Sequence, residues 1–235
     1  MTAKQIMTEL ETLGSPAIKK VLVQHGVREP FFGVKIGDMK PIQKKIRMDY
    51  QLANELYATG NADAQYFAGL IADDMKMTKT DLQTWVKGAL SQNISEYTVP
   101  WVAAGSQHGY ELALEWIESP KEYIAAAGWS TLANLVALQP DAKLDLPGLT
   151  KLLARAVTEV HTAPNRVRYV MNNFVICIGA YVPALHKEGV AAATKIGTIT
   201  VDVGGTSCKI PVATEYIQKA IDRGSLTKKK KTVKC

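Results

Sequence analysis

The apolar positions along this chain recur mostly at helical spacing. Ala17, Ile18, Val21 and Leu22 form a stripe at i, i+1, i+4 and i+5. The pair Ser15-Pro16 precedes it: a side-chain acceptor, then a proline whose missing N–H costs nothing at the first helical position. Gly26 can close that helix in the left-handed conformation. A loop over 27–37, rich in Gly, Pro and aromatics, comes next. Asp38 is placed to cap a further helix, with Met39, Ile42 and Ile46 on one face and Lys40, Lys44 and Lys45 largely on the other; Pro41 then falls in its first turn. The same periodicity predicts helices over 50–59, 62–73, 79–91, 94–104, 107–118, 121–138, 147–160, 165–182, 185–195 and about 213–223. Successive helices of this length with brief links suggest helical pairs stacked in a solenoid. No crisp repeat accompanies them, and degenerate HEAT-type repeats do not require one.

One segment departs from this period. Ile199, Val201 and Val203 alternate with Thr198, Thr200 and Asp202, and Gly204-Gly205 supplies turn residues that tolerate positive φ. With Ser207 to Ile210 as the return strand, this predicts a β-hairpin over about 197–211. An isolated hairpin is marginal in water, so it must lean on the helices or on a partner. Lys195 and Lys209 flank it. It reads equally as a probe for a nucleic-acid groove or junction and as a cap on the helical stack.

Composition adds bounds. At 47% hydrophobic and 21% charged residues, the chain is ordinary for a globular protein and long enough for a sizeable core, read as one domain over 1–226. No apolar run of about 18 residues suggests a membrane span. The opening MTAKQIMTELETLG lacks the apolar core of a secretory signal. Cys177, Cys208 and Cys235 form no metal-spaced pair and no disulfide framework, so a reducing cytoplasm is expected. The net charge of +6 is uneven: +3 over 1–60, −5 over 61–120 and +3 over 121–195. Five lysines fall within 227–235, expected as a disordered basic tail. Basic ends around an acidic middle fit one basic face for nucleic acid, or a solvated surface with a solubilising tail.

Several stretches resemble the HEAT-like-repeat DNA alkylation repair family, whose best-known members are alkylpurine DNA glycosylases. Gly33-Val34-Lys35-Ile36-Gly37-Asp38-Met39-Lys40-Pro41-Ile42 looks like that family's early loop-helix signature. Leu56-Tyr57 and then Ala64-Gln65-Tyr66-Phe67-Ala68-Gly69-Leu70 resemble its next helix pair, and Trp85 to Trp101 occupies the region of its central site. The resemblance covers roughly 15–195. The segment GTITVDVGGTSCKIP is similar to an insertion in a non-glycosylase branch associated with branched DNA. Family glycosylases carry a Trp-Asp-x-x-Asp stretch whose final Asp supports the departing sugar as it gains positive charge. The matching stretch here is Ser95-Glu96-Tyr97-Thr98-Val99-Pro100-Trp101, with Pro100 at the final Asp. The family's arginine falls near Ala125 to Gly128 and its later tryptophan near Asn172 or Asn173. The resemblance therefore implies binding without the usual excision site.

Other constellations carry competing readings. Glu96 with Trp101 can be a displaced catalytic pair, or a first-turn acid beside a packing residue. Trp85, Trp101, Trp116 and Trp129 can stack bases or pack helices, and packing is the commoner use. The four histidines lie in no metal-binding pattern. Arg166 and Arg168 open a helix whose N-terminus can hold a phosphate, with Asn172 further along. Lys35, Lys40, Lys44, Lys195 and Lys209 can bind backbone charge, giving salt-sensitive affinity.

The resulting expectation is a mainly α protein, a HEAT-like-repeat α-α superhelix with one β-hairpin insertion near the C-terminus. It is expected as a monomer that binds branched or distorted DNA, such as a Holliday junction. No metal, small-molecule cofactor or membrane is implied. The alternatives are an active glycosylase for N-alkylated purines, a protein-interaction scaffold, and weak DNA sticking by the lysine tail alone.

Overall fold

The computed structural model describes residues 1–235, apart from the side chain of Thr227. Helices dominate, and no β-strand occurs among the described residues. The chain divides into two compact units. The first comprises 1–108, 203–206 and 234–235; the second comprises 109–202 and 207–233. No single helix is long and apolar enough to cross a membrane.

The first unit holds α1 (Ala3–Leu13), α2 (Pro16–Gln24), α3 (Ile36–Ile46), α4 (Tyr50–Tyr57), α5 (Ala62–Ile71), α6 (Lys79–Gly88) and α7 (Val99–Gly105). Every residue of α5 is buried, as expected of a helix that neighbours enclose on all sides. Its N-cap Asn61 accepts from the backbone N–H groups of Asp63 and Ala64. Trp85 on α6 stacks on Tyr57 of α4 with ring centroids 4.0 Å apart, and its indole N–H donates to Asn54. α3 begins two residues before Asp38, so Asp38 is a first-turn acid rather than the cap, and Pro41 lies inside the helix rather than in its first turn. Ser15 precedes α2 without making a side-chain cap bond.

A single irregularity interrupts the helical path before α7. Residues Ile94–Thr98 form a π turn in which the Val99 N–H donates to the Ile94 carbonyl, five residues back. Pro100 explains it: without an N–H it cannot extend the four-residue ladder back to Glu96, so the chain widens locally and restarts. Thr98 then lies against Gly69 of α5, where an added Cβ would stand 2.5 Å from the Thr98 methyl.

The second unit holds α8 (Gly109–Trp116), α9 (Glu122–Leu138), α10 (Leu146–Glu159), α11 (Asn165–Tyr181), α12 (His186–Ile196) and α13 (Ala213–Ile221). α9 and α11 are its longest helices and its core, with Trp129 edge-on to Phe174 at 5.2 Å. The four tryptophans are all at most 3% exposed, so each packs helices rather than offering a stacking platform.

The expected hairpin is corrected. Its turn forms, with Gly204 and Gly205 at φ +67° and +72°, but the arms over 197–203 and 206–211 make no β-ladder. The alternation does mark the inward face, since Ile199 and Val201 are buried while Thr198, Thr200 and Asp202 are exposed. The backbone instead finds partners on α11, described below.

The lysine tail is likewise held rather than loose. In the second unit the Lys229 ammonium donates to the carbonyls of Val136 and Tyr181 and pairs with Asp141 at 2.7 Å; the Lys230 N–H donates to Ala137. In the first unit Lys234 donates to Ala72 and Asp74. Composition suggested a solvated segment, but carbonyls at helix C-terminal ends are natural partners for lysine.

Candidate nucleic-acid interface

In the first unit the expected DNA contacts lie on and just before α3. Lys35 is its exposed N-cap residue, and Lys44 is exposed in its last turn with Lys45, where the helix dipole favours cations. The Lys40 ammonium donates to the Cys235 carbonyl. The loop entering α3 is fixed by a residue the sequence reading missed. The Asp63 carboxylate accepts from the backbone N–H of Phe32 at 2.7 Å, Gly33 at 2.8 Å and Val34 at 3.3 Å. Burial raises its pKa above the usual carboxylate range, and those three donors pull against that rise. Gly33 adopts φ +85°, and a Cβ there would stand 2.7 Å from the Ser15 carbonyl; only glycine fits. The signal for Asp63 in the sequence was an acid in a first turn, which does not reveal a loop some 30 residues away.

The family's catalytic stretch is closed in. Glu96 is 4% exposed and Trp101 3% exposed. Trp101 meets Tyr66 edge-on at 5.4 Å and Tyr97 at 6.2 Å. Pro100 is buried in the first turn of α7. Nearby Asp74 is a half-buried acid: desolvation pushes its pKa up to about 6 despite the Lys234 ammonium 2.6 Å away. Ala125 to Gly128, the stretch matched to the family's arginine, is buried in α9.

In the second unit α11 serves the two arms of the 197–211 segment, over 197–202 and 207–211. Asn165 acts like a strand edge, donating to the Asp202 carbonyl at 2.8 Å and accepting from the Asp202 N–H at 2.7 Å. The Arg168 guanidinium donates to the carbonyls of Thr200 at 2.5 Å and Ala163 at 3.0 Å. Asn172 donates to the Pro211 carbonyl at 2.9 Å and is 1% exposed. The Arg166 N–H, at the helix start expected to hold a phosphate, donates to Glu122 at 2.7 Å, and the Arg166 guanidinium lies over Tyr169 at 4.5 Å. Lys195, in the last turn of α12, and Lys209, on the return arm, are exposed. A cleft of about 320 Å³ opens beside Trp129 and Met171, but its Arg155 is bound to Glu118 and Glu159. Among the described residues no group of three or more His, Cys, Asp or Glu is arranged to hold a metal.

The comparisons set this helical chain among the HEAT-like-repeat proteins related to DNA glycosylases. The family model described as DNA alkylation repair enzyme matches residues 6–199, and the chain belongs to that family. A solved structure is 38% identical with a TM-score of 0.90, each chain covered in full; it is described as a new family related to the HEAT-like repeat DNA glycosylases with affinity for branched DNA structures. An uncharacterized protein of Listeria innocua is 33% identical over 229 residues, covering 95% of this chain and 99% of the relative. One of Listeria monocytogenes is 32% identical with the same coverage.

Proposed function

We propose that this protein binds branched or otherwise distorted DNA through backbone charge and the 197–211 segment, and does not excise alkylated bases. The observation that carries the reading is full-length similarity, at 38% identity, to a protein whose family has affinity for branched DNA. Lys35, Lys44, Lys195 and Lys209, all exposed, take phosphates. Arg168 and Asn172 act indirectly, by holding the segment to α11. The proline at the position matched to the catalytic Asp offers neither charge nor a side-chain hydrogen bond, so it cannot stabilise a developing oxocarbenium ion.

The test is a titration of the full chain against linear duplex, forked and four-way-junction DNA over a range of salt. Tighter binding to the branched forms is expected, weakened by Lys195→Ala with Lys209→Ala. If four lysines meet phosphates, the log–log salt slope is about −3.6, and the double substitution reduces it by about 1.8. Equal binding to all three DNAs, or release of free base from alkylated DNA, refutes the proposal.

A further inference from the structure

Lys234 is seated in a built site. Its side chain is 18% exposed, and the ammonium donates to the Ala72 carbonyl at 3.1 Å and to Asp74 at 2.6 Å. Ala72 is the C-cap of α5, so the ammonium satisfies an end-of-helix carbonyl at the negative pole of the dipole. Asp74 is fixed from the other side by α7: a Cβ on Gly105 would stand 2.3 Å from its carboxylate. The next residue reaches two groups of the candidate site. The Cys235 carbonyl accepts from Lys40, one of the two α3 lysines expected on DNA, and Cys235 hydrogen-bonds Tyr66, the residue edge-on to Trp101.

We propose that Lys234 and Cys235 are a cover held in cis on the α3–α5 face of the first unit, latched by Lys234 in the Ala72–Asp74 seat, and that branched DNA must displace them to reach Lys40. This rests on the DNA-binding reading above and adds its regulation. A basic segment ordinarily strengthens DNA binding by adding charge. Here the lysine is turned inward onto an acid and a carbonyl, and the neighbouring residue occupies a cation meant for phosphate. The segment therefore acts as a competitor for the face.

The opposing signs make the test sharp. Lys234→Met removes a positive charge, so charge counting predicts weaker binding. Opening the latch predicts the reverse: if the face is uncovered in about a tenth of molecules, release tightens the apparent Kd for four-way-junction DNA by about tenfold. A melting curve of the variant shows that it remains folded. The unaltered full chain gives a second readout, tryptic cleavage after Lys231 and Lys234 followed by mass spectrometry. Junction DNA accelerates that cleavage if the cover is displaced. Unchanged or weaker binding by the variant, or slower cleavage with DNA, overturns the cover and makes the segment a structural clamp or a DNA contact. Absence of DNA binding by both proteins at low salt overturns the function proposed above, and the cover with it.

Discussion

Replacing Asp63 with alanine should loosen the loop that leads into α3. The wild-type carboxylate serves three backbone donors, of Phe32, Gly33 and Val34, two of them in fully buried bonds. Leaving a buried donor without an acceptor costs about 1–3 kcal/mol. Three donors therefore set a loss of about 3–9 kcal/mol, partly offset because a carboxylate whose pKa burial has raised no longer has to be desolvated. The net expectation is about 3 kcal/mol for Asp63→Ala. Asp63→Asn keeps one acceptor oxygen but turns an amide toward the remaining donor, and should cost about half as much. Urea unfolding of the full chain reads both: the midpoint falls in the order wild type, Asn, Ala, with a nearly constant slope. The sign with pH is also fixed. A folded pKa above the unfolded one means that the carboxyl's titration favours the fold most at low pH, an advantage lost as pH rises through the folded value. The reasoning fails if Asp63→Ala unfolds within about 0.5 kcal/mol of wild type, the ordinary scatter of surface substitutions.

Two further outcomes follow from local geometry. Asp74, pushed to about 6 by burial, contributes stability that is full below the ordinary aspartate value of 3.8 and lost as pH rises through about 6, a span of about 3 kcal/mol; carbon-detected NMR titration of its carboxyl should show that midpoint, and a value near 4 rejects it. Asn165→Ala removes both bonds to the Asp202 backbone, so amide exchange at Asp202 should quicken by about tenfold, as expected for about 1.4 kcal/mol of lost protection; unchanged exchange would mean that the segment is held by Ile199 and Val201 alone.

Helix positions were legible because the signals that set them are local. The apolar stripes and caps placed α4 to α13 within a few residues of where they stand, and the Pro100 ring even accounts for the π turn before α7. The alternation at 199–203 was also a true signal, but only for which side chains face inward. What pairs with a strand-like backbone is decided by whichever donors the fold brings alongside, and Asn165 and Arg168 arrive from α11, more than 30 residues earlier. Asp63 was missed for the same reason, since its partners lie in a distant loop. The tail was misread because composition records five lysines but not the helix-end carbonyls and acids that receive Lys229 and Lys234.

This difference between charge present and charge available bears on the kind of recognition proposed. Arg168 and Asn172 are the candidate residues best suited to multidentate contacts with bases, and both are committed to carbonyls of the chain itself. The Arg166 guanidinium lies over Tyr169, and the helix start beside it is occupied by Glu122. The exposed candidates are lysines, compact point charges without a guanidinium's fixed fork. Such a set reads where phosphates lie rather than which bases they join. On the proposed function, discrimination must then come from the spacing of phosphates at a branch and from the braced 197–211 segment. Changing the base sequence of a junction at constant geometry should leave affinity nearly unaltered, while converting it to linear duplex should not.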